Sequence, residues 1–303
     1  MEHHPIVVVE GPSFCGRSDV ASGIAHHFGL KLVKGATTAA EFVQAMQPAL
    51  DRERGVVIDG GWHMEIVAAS AQRRKSRITP VQKRMLSRLA LSRAGTVVKV
   101  LTSLRTYMIN ASYKGSLIPD NIDLLFNAYE EWESLDPLLP YHDCNPHIST
   151  VFETLWPRLE ADWAYGNPGP GIGSYHHHKV MIVGDRHGRS LQPYNVKLNV
   201  PFVSMSGVGC SEWLTQELIW AHICECQLYW INAYDQNGQE TNPDFMYCET
   251  VPTIALGGAA SKWCDKHNIH HQRIPHPQFW KRFHYDEDYP FAPLLKDMIQ
   301  HGH

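Results

Sequence analysis

The chain opens on an uninterrupted apolar run, Ile6-Val7-Val8-Val9, closed by Glu10. Such a run predicts a strand buried on both faces. Apolar positions at 20, 24 and 28 then give helix spacing over 19–28. Thr38 with Glu41 three residues on is a capping box that predicts a helix through Leu50. Residues 56–58 are a second buried strand, ended by Asp59. Thr79-Pro80-Val81-Gln82 is another capping box with proline at the first helical position, and this helix is expected to run to Ala94 and stop at Gly95. A strand follows at 96–101, and helices are predicted over 121–134 and 149–159. The stretch AYGNPGPGIGSYHHH, 164–178, breaks every periodicity and reads as a linker. Strand patterns restart at 179–185, 228–232, 253–257 and near Ile274, with helices at 211–222 and 259–267.

Strands alternating with helices predict parallel sheets covered on both faces. The expected fold class is α/β, with two three-layer parallel-sheet domains at 1–163 and 179–303 joined by the linker 164–178.

Composition narrows the picture. A hydrophobic share of 44% suits full cores, and no apolar stretch approaches the roughly 20 residues of a membrane helix. The N-terminal stretch carries no secretory pattern, so the expected location is the cytoplasm, with no membrane partner. The seven cysteines form no CxxC pair, which predicts reduced, packed thiols and no iron–sulfur cluster. His176-His177-His178 lies among glycines and prolines with no converging ligands, and reads as solvated linker. With a formal net charge of −4, any nucleic-acid partner needs a local basic patch. Residues 73–93 supply one, with Arg73, Arg74, Arg77, Arg84 and Arg88 and no acid between them. It reads either as phosphate contact or as a solvated helix face.

The sequence after the first strand, EGPSFCGRSD, has the form of a phosphate-cradling turn. Gly11 and Gly16 supply the turn, Arg17 the cation, Ser18 a hydroxyl for Mg²⁺, and the following helix its N-terminus. Arginine at 17, where such a turn carries lysine, puts a planar fork in place of a point charge. Together with Asp59-Gly60-Gly61-Trp62-His63-Met64-Glu65, residues 5–160 resemble the thymidylate kinase and deoxynucleoside kinase group. The strand at 96–101 and Phe126-Asn127-Ala128-Tyr129 fit the same resemblance. It implies ATP as phosphoryl donor, Asp59 as acceptor base or Mg²⁺ partner, and His63 and Glu65 facing an acceptor nucleoside. Two departures stand out: Gly60 replaces the arginine of that group, and only Arg105 follows the strand at 96–101 where an arginine-dense lid is usual.

In the second half, Val183-Gly184-Asp185, Pro201-Phe202, Ile231-Asn232, Ala255-Leu256-Gly257 and Ile274-Pro275-His276-Pro277 occur in an order that resembles the uracil-DNA glycosylase superfamily. The resemblance implies a base pocket of Gly184, Asp185, Phe202, Asn232 and His276. Phe202 would stack on an extruded base and Asn232 would read a pyrimidine edge. His276 would stabilise developing charge, and Asp185 would orient water or a cationic sugar. Phe279, Trp280, Lys281, Arg282 and Phe283 suit a loop that wedges a duplex and holds phosphates. Singly, Phe202 also reads as core and His276-Pro277 as a rigid corner. Arg17, Asp59, Asp185, Asn232 and His276 are thus the candidate catalytic residues.

The two resemblances together imply a phosphotransferase acting on a thymine- or uracil-type acceptor, a pyrimidine deoxynucleotide or a modified base such as 5-hydroxymethyluracil in DNA. They place it by analogy with DNA hypermodification in bacterial viruses, and so in an infected host cell. The alternatives are a DNA glycosylase and a non-catalytic reader of modified bases.

Overall fold

A computed structural model describes residues 4–113, 126–128, 138–147, 150–165, 170–173, 179–186, 200–207, 209–243, 251–284 and 286–301. The chain divides into two units, Met1–Gly166 and Asn167–His303.

Among the described residues of the first unit the strands are β1 (Ile6–Glu10), β2 (Lys31–Lys34), β3 (Val56–Asp59), β4 (Thr96–Val100) and β5 (Tyr141–Cys144). They form one all-parallel sheet in the order β2-β3-β1-β4-β5. Helices bounded within the described residues are α1 (Arg17–His27), α2 (Ala39–Leu50), α3 (Trp62–Ala71), α4 (Pro80–Leu91), α5 (Leu104–Tyr113) and α6 (Val151–Tyr165). Side chains alternate across a strand, so Val7, Val9, Val57, Val98 and Val100 pack with Val20 and Ile24 of α1 and Leu155 and Leu159 of α6. The opposite face of β1 and β3 meets α2 and α4.

Both capping boxes form, Thr38 with Glu41 and Thr79 with Gln82. Helix α4 is shorter than its pattern predicts and ends at Leu91. Ala94 takes a left-handed φ of 48°, turning the chain back toward β4, and Gly95 passes so close to Ala90 that a Cβ would lie 2.4 Å from its carbonyl carbon. Strands β2 and β5 and helix α5 were not legible as periodic patterns. The helix predicted over 121–134 lies mostly outside the described residues.

The second unit has β6 (Val180–Arg186), α7 (Cys210–Trp220), β7 (Leu228–Tyr234), β8 (Thr253–Leu256), α8 (Gly258–Lys266), β9 (Gln272–Ile274), α9 (Pro277–Phe283) and α10 (Phe291–His301). Its sheet, β7-β6-β8-β9, is again wholly parallel. One face packs Val183, Ile231 and Ala255 on Trp263 of α8. On the other, Trp230 meets Phe202 and Phe291. The α/β class with parallel sheets is thus what the chain adopts.

Three expectations are corrected. Parts of the 164–178 stretch are structured: Ala164 and Tyr165 end α6, and buried Ile172 makes an antiparallel bridge to Trp230. Gly171 and Gly173 permit this because a Cβ on either would strike Tyr229 or Leu228. The histidine run lies outside the described residues. Cys224 and Cys226 are joined in a disulfide across Glu225, against the expectation of thiols alone, while Cys15, Cys144, Cys210 and Cys264 are free. Residues 278–283, expected as a loop, belong to helix α9, because Pro277 starts the helix and the His276 ring caps it.

Candidate functional site

In a parallel sheet the ligand crevice lies beyond the carboxyl ends of the strands where successive connections depart to opposite edges. In the first unit that point is the end of β1, with β3 on one side and β4 on the other. The turn between β1 and α1 is built there. Gly11 has φ 146° and lies so close to β4 that a Cβ would come 2.4 Å from Val100 O. Gly16 has φ 86° and leads directly into α1, whose N-terminus carries no side-chain cap. Phe14 also takes positive φ, at 64°, and Asn110 of α5 holds the loop by donating to Phe14 O at 2.9 Å.

The neighbouring α3 contrasts with α1. Its N-terminus is filled by Glu10, whose carboxylate accepts from the N–H groups of Gly61, His63 and Met64, each at 3.2 Å. Of these two helix N-termini at the crevice, the one at Arg17 carries no side-chain cap.

Arg17 lies across the crevice. Its Nε is 2.6 Å from Asp59 Oδ1, and its Nη1 donates to Gly11 O at 3.1 Å and lies 2.9 Å from Met64 Sδ. Gly60, with φ 95°, floors this seat: a Cβ there would meet the guanidinium carbon at 3.3 Å. The residue that removes an arginine from the expected pattern is therefore the one that makes room for Arg17.

Two cavities meet at Arg17 and Ser18. One, of about 510 Å³, is also lined by Lys34, Gly35, Asp59, Gly60, Met64 and Glu65. The other, of about 570 Å³, is lined by Phe14, Gly16, Asp19, Asn110, Tyr113 and His147. Both fall in the size range of small-molecule sites. Glu65 lines the first cavity, and a paired hydrogen bond from Arg74, with Arg77 N–H, holds its carboxyl below the usual range. His63 does not face it, being buried against Glu10 at 3.0 Å. The Mg²⁺ pair expected at Ser18 and Asp59 does not fit this arrangement, because Asp59 already binds the Arg17 guanidinium.

The basic stretch divides. Arg88 is wholly buried and cannot serve as a nucleic-acid contact, since the helix turns it into the core. Arg93 donates to Ala49 O and Leu50 O and so ties down the end of α2. Arg74 pairs with Glu65. Arg73 is exposed and stands in the left-handed region, with φ 50°. Lys281 and Arg282 lie exposed on α9.

In the second unit, strand register sets Gly184 beside Asn232. A Cβ on Gly184 would lie 2.5 Å from Asn232 Oδ1 and 2.6 Å from Phe202 Cζ, so the missing side chain lets ring and amide converge. Asn232 is 5% exposed. Phe202 holds φ 55°, a strained conformation for a bulky residue, with its ring 4.6 Å from that of Trp230. His276 follows β9 and packs on Gly257. Its Nδ1 accepts the Gln278 N–H at 3.1 Å, which puts the proton of the neutral ring on Nε2. Burial lowers the His276 pKa, with nearby Asp185 acting in the opposite direction. The structure therefore groups Gly184, Phe202 and Asn232, and sets Asp185 within electrostatic reach of His276.

Sequence reasoning missed Glu10, Lys34, Met64, Asn110 and His147. Only Glu10 carried a signal, as the lone charge ending a buried strand.

No protein-family model matches the chain, and no curated protein does. Among solved structures, the YorR protein of Bacillus subtilis in complex with phosphorylated GDP is 17% identical with a TM-score of 0.43, covering 54% of this chain and 99% of that one. Deoxyadenosine kinase from M. mycoides with bound dCTP is 12% identical with a TM-score of 0.36, covering 52% and 99%. Shikimate kinase from Acinetobacter baumannii in complex with shikimate is 11% identical with a TM-score of 0.33, covering 53% and 93%. Likenesses this distant carry no argument, and the fold rests on the strand order and register described above. Among the described residues no helix is long and apolar enough to cross a membrane.

Proposed function

We propose that the protein is an ATP-dependent phosphotransferase whose acceptor is a thymine- or uracil-type nucleotide, or a modified pyrimidine such as 5-hydroxymethyluracil in DNA. The observation that carries this reading is the meeting of two ligand-sized cavities at Arg17 and Ser18, beside a helix N-terminus that no side chain caps. A triphosphate lies with its terminal groups on the amides that open α1, and the acceptor hydroxyl enters from the cavity of Lys34, Asp59 and Glu65. The hydroxyl oxygen bonds to the terminal phosphorus, and the bond from that phosphorus to the bridging oxygen breaks. ADP leaves, and Asp59 takes the hydroxyl proton. The Arg17 guanidinium stands between the two spaces, where charge accumulates on the moving group.

On this reading the second unit, taken by itself, binds a pyrimidine base. Phe202 offers an aromatic face, Asn232 a donor and an acceptor, and His276 an Nε2–H donor. The same group supports a second reading, hydrolysis of a glycosidic bond with Asp185 orienting water. Incubating the protein with labelled ATP and duplexes carrying thymine, uracil or 5-hydroxymethyluracil separates the readings by mass. A phosphorylated base, lost in Arg17→Ala, supports the transferase. Abasic sites formed without ATP and lost in His276→Ala support the hydrolase. Base-dependent binding with neither product leaves a reader of modified bases, and no change in any duplex removes both catalytic readings.

A further inference from the structure

We infer that the Arg17 guanidinium, seated on Asp59 and Gly60, takes the place of a divalent cation at this carboxylate, so that a polyphosphate binds the 11–18 turn without needing a divalent metal. The inference rests on the nucleotide reading above and goes beyond it.

Four observations carry it. Asp59 and Arg17 are both mostly buried, with side chains 14% and 18% exposed, and their 2.6 Å contact is a charge-assisted hydrogen bond. Further contacts, to Gly11 O and Met64 Sδ, fix the plane of the guanidinium, so it cannot swing off Asp59 without losing them together. Gly60 leaves the floor of the seat open, where a Cβ would press on the guanidinium carbon. The other carboxylate at the end of β1, Glu10, is engaged by three amides of α3 and by His63.

A small divalent cation such as Mg²⁺ takes oxygen ligands at about 2.0–2.1 Å and is usually held by one or two carboxylates. Here it would compete with a fixed positive charge for Asp59. No group of three His, Cys, Asp or Glu side chains among the described residues supplies another seat. A guanidinium is always protonated, and with Nε and Nη1 engaged its Nη2 still carries two N–H donors for phosphate oxygens, so the positive charge that the site needs is already built in. A lysine at 17 carries one terminal nitrogen and has no Nε–H fork. It cannot hold Asp59 and a phosphate in the same planar geometry.

Titrating the full chain with ATP by calorimetry, once in Mg²⁺ and once in EDTA, tests this directly. The wild-type affinities are expected to agree within about threefold. Arg17→Lys is expected to lose at least tenfold in EDTA and to recover most of that loss when Mg²⁺ is added, because Asp59 is then released. A wild-type affinity that falls tenfold or more in EDTA overturns the inference while leaving nucleotide binding intact. An unchanged metal response in Arg17→Lys also overturns it, with the variant's thermal unfolding recorded to establish that it folds. Absence of ATP binding under either condition overturns the inference and the nucleotide reading together.

Discussion

Glu10 Oε1 lies 3.0 Å from His63 Nδ1, with both side chains removed from solvent, and the same carboxylate takes three amide protons at the start of α3. One side chain thus ends the central strand, caps a helix and fixes the Gly60-Gly61 corner that seats Arg17. Replacing Glu10 by Gln keeps the shape but turns one acceptor into a donor facing donors. Leaving buried donors unpaired costs about 1–3 kcal/mol, so Glu10→Gln is expected to lower the stability of the first unit by that order in denaturant unfolding. A loss below about 0.5 kcal/mol would contradict the central position given to Glu10.

Gly184→Ala tests the second site from its floor. The added Cβ would sit 2.5 Å from Asn232 Oδ1 and 2.6 Å from Phe202 Cζ, and one of the two must move. Overpacking of this kind costs about 1–3 kcal/mol, and binding of a pyrimidine-containing oligonucleotide is expected to fall at least tenfold. Asn232→Ala should weaken the same binding, because it removes the amide that offers both a donor and an acceptor to a base edge. Retained base binding in both variants would show that this cluster is only core.

The pH response of His276 has a defined sign. Burial lowers its folded pKa, so the folded state resists taking up a proton that the unfolded chain accepts near the ordinary histidine value. The contribution is full above about pH 6.5 and is lost as pH falls through the folded value. Unfolding measured between pH 7 and pH 5 should therefore show a steeper decline for wild type than for His276→Gln. Equal slopes would mean that the ring is not held neutral.

The thiols of Cys15 and Cys144 are pushed up to about 11, in both cases chiefly by burial. Cys15 also points into the protein, with Sγ 2.7 Å from Pro12 O. Neither should react with iodoacetamide at pH 7.5 in the native protein, since the thiolate is the nucleophile. Peptide mapping that finds either residue modified as fast as in the unfolded chain would place the turn in a more open state.

Much of the framework was legible because its signals are local. Ile6–Glu10 and Val56–Asp59 are continuous apolar runs, and Thr38 and Thr79 announce their helices through capping boxes. Lys31–Lys34 gave no such signal, since an edge strand with mostly exposed side chains needs no apolar pattern. The candidate sites were legible as a set of residue types at strand ends. Their pairings were not, because Arg17 meets Asp59 and Phe202 meets Gly184 only through the tertiary fold. His63 shows the opposite failure: its place in a motif suggested a ligand contact, but Glu10, invisible to that motif, claims it.

The bridge between Ile172 and Trp230 has a practical consequence for anyone dividing the chain. Strand β7 is the outermost strand of its sheet, and residues 171–173 lie along its open side. Severing the chain just ahead of β6, where composition alone would suggest, strips off that cover and bares main-chain donors and acceptors. A fragment begun at 179 should self-associate into sheet-rich aggregates, whereas one begun at 167 keeps its own guard.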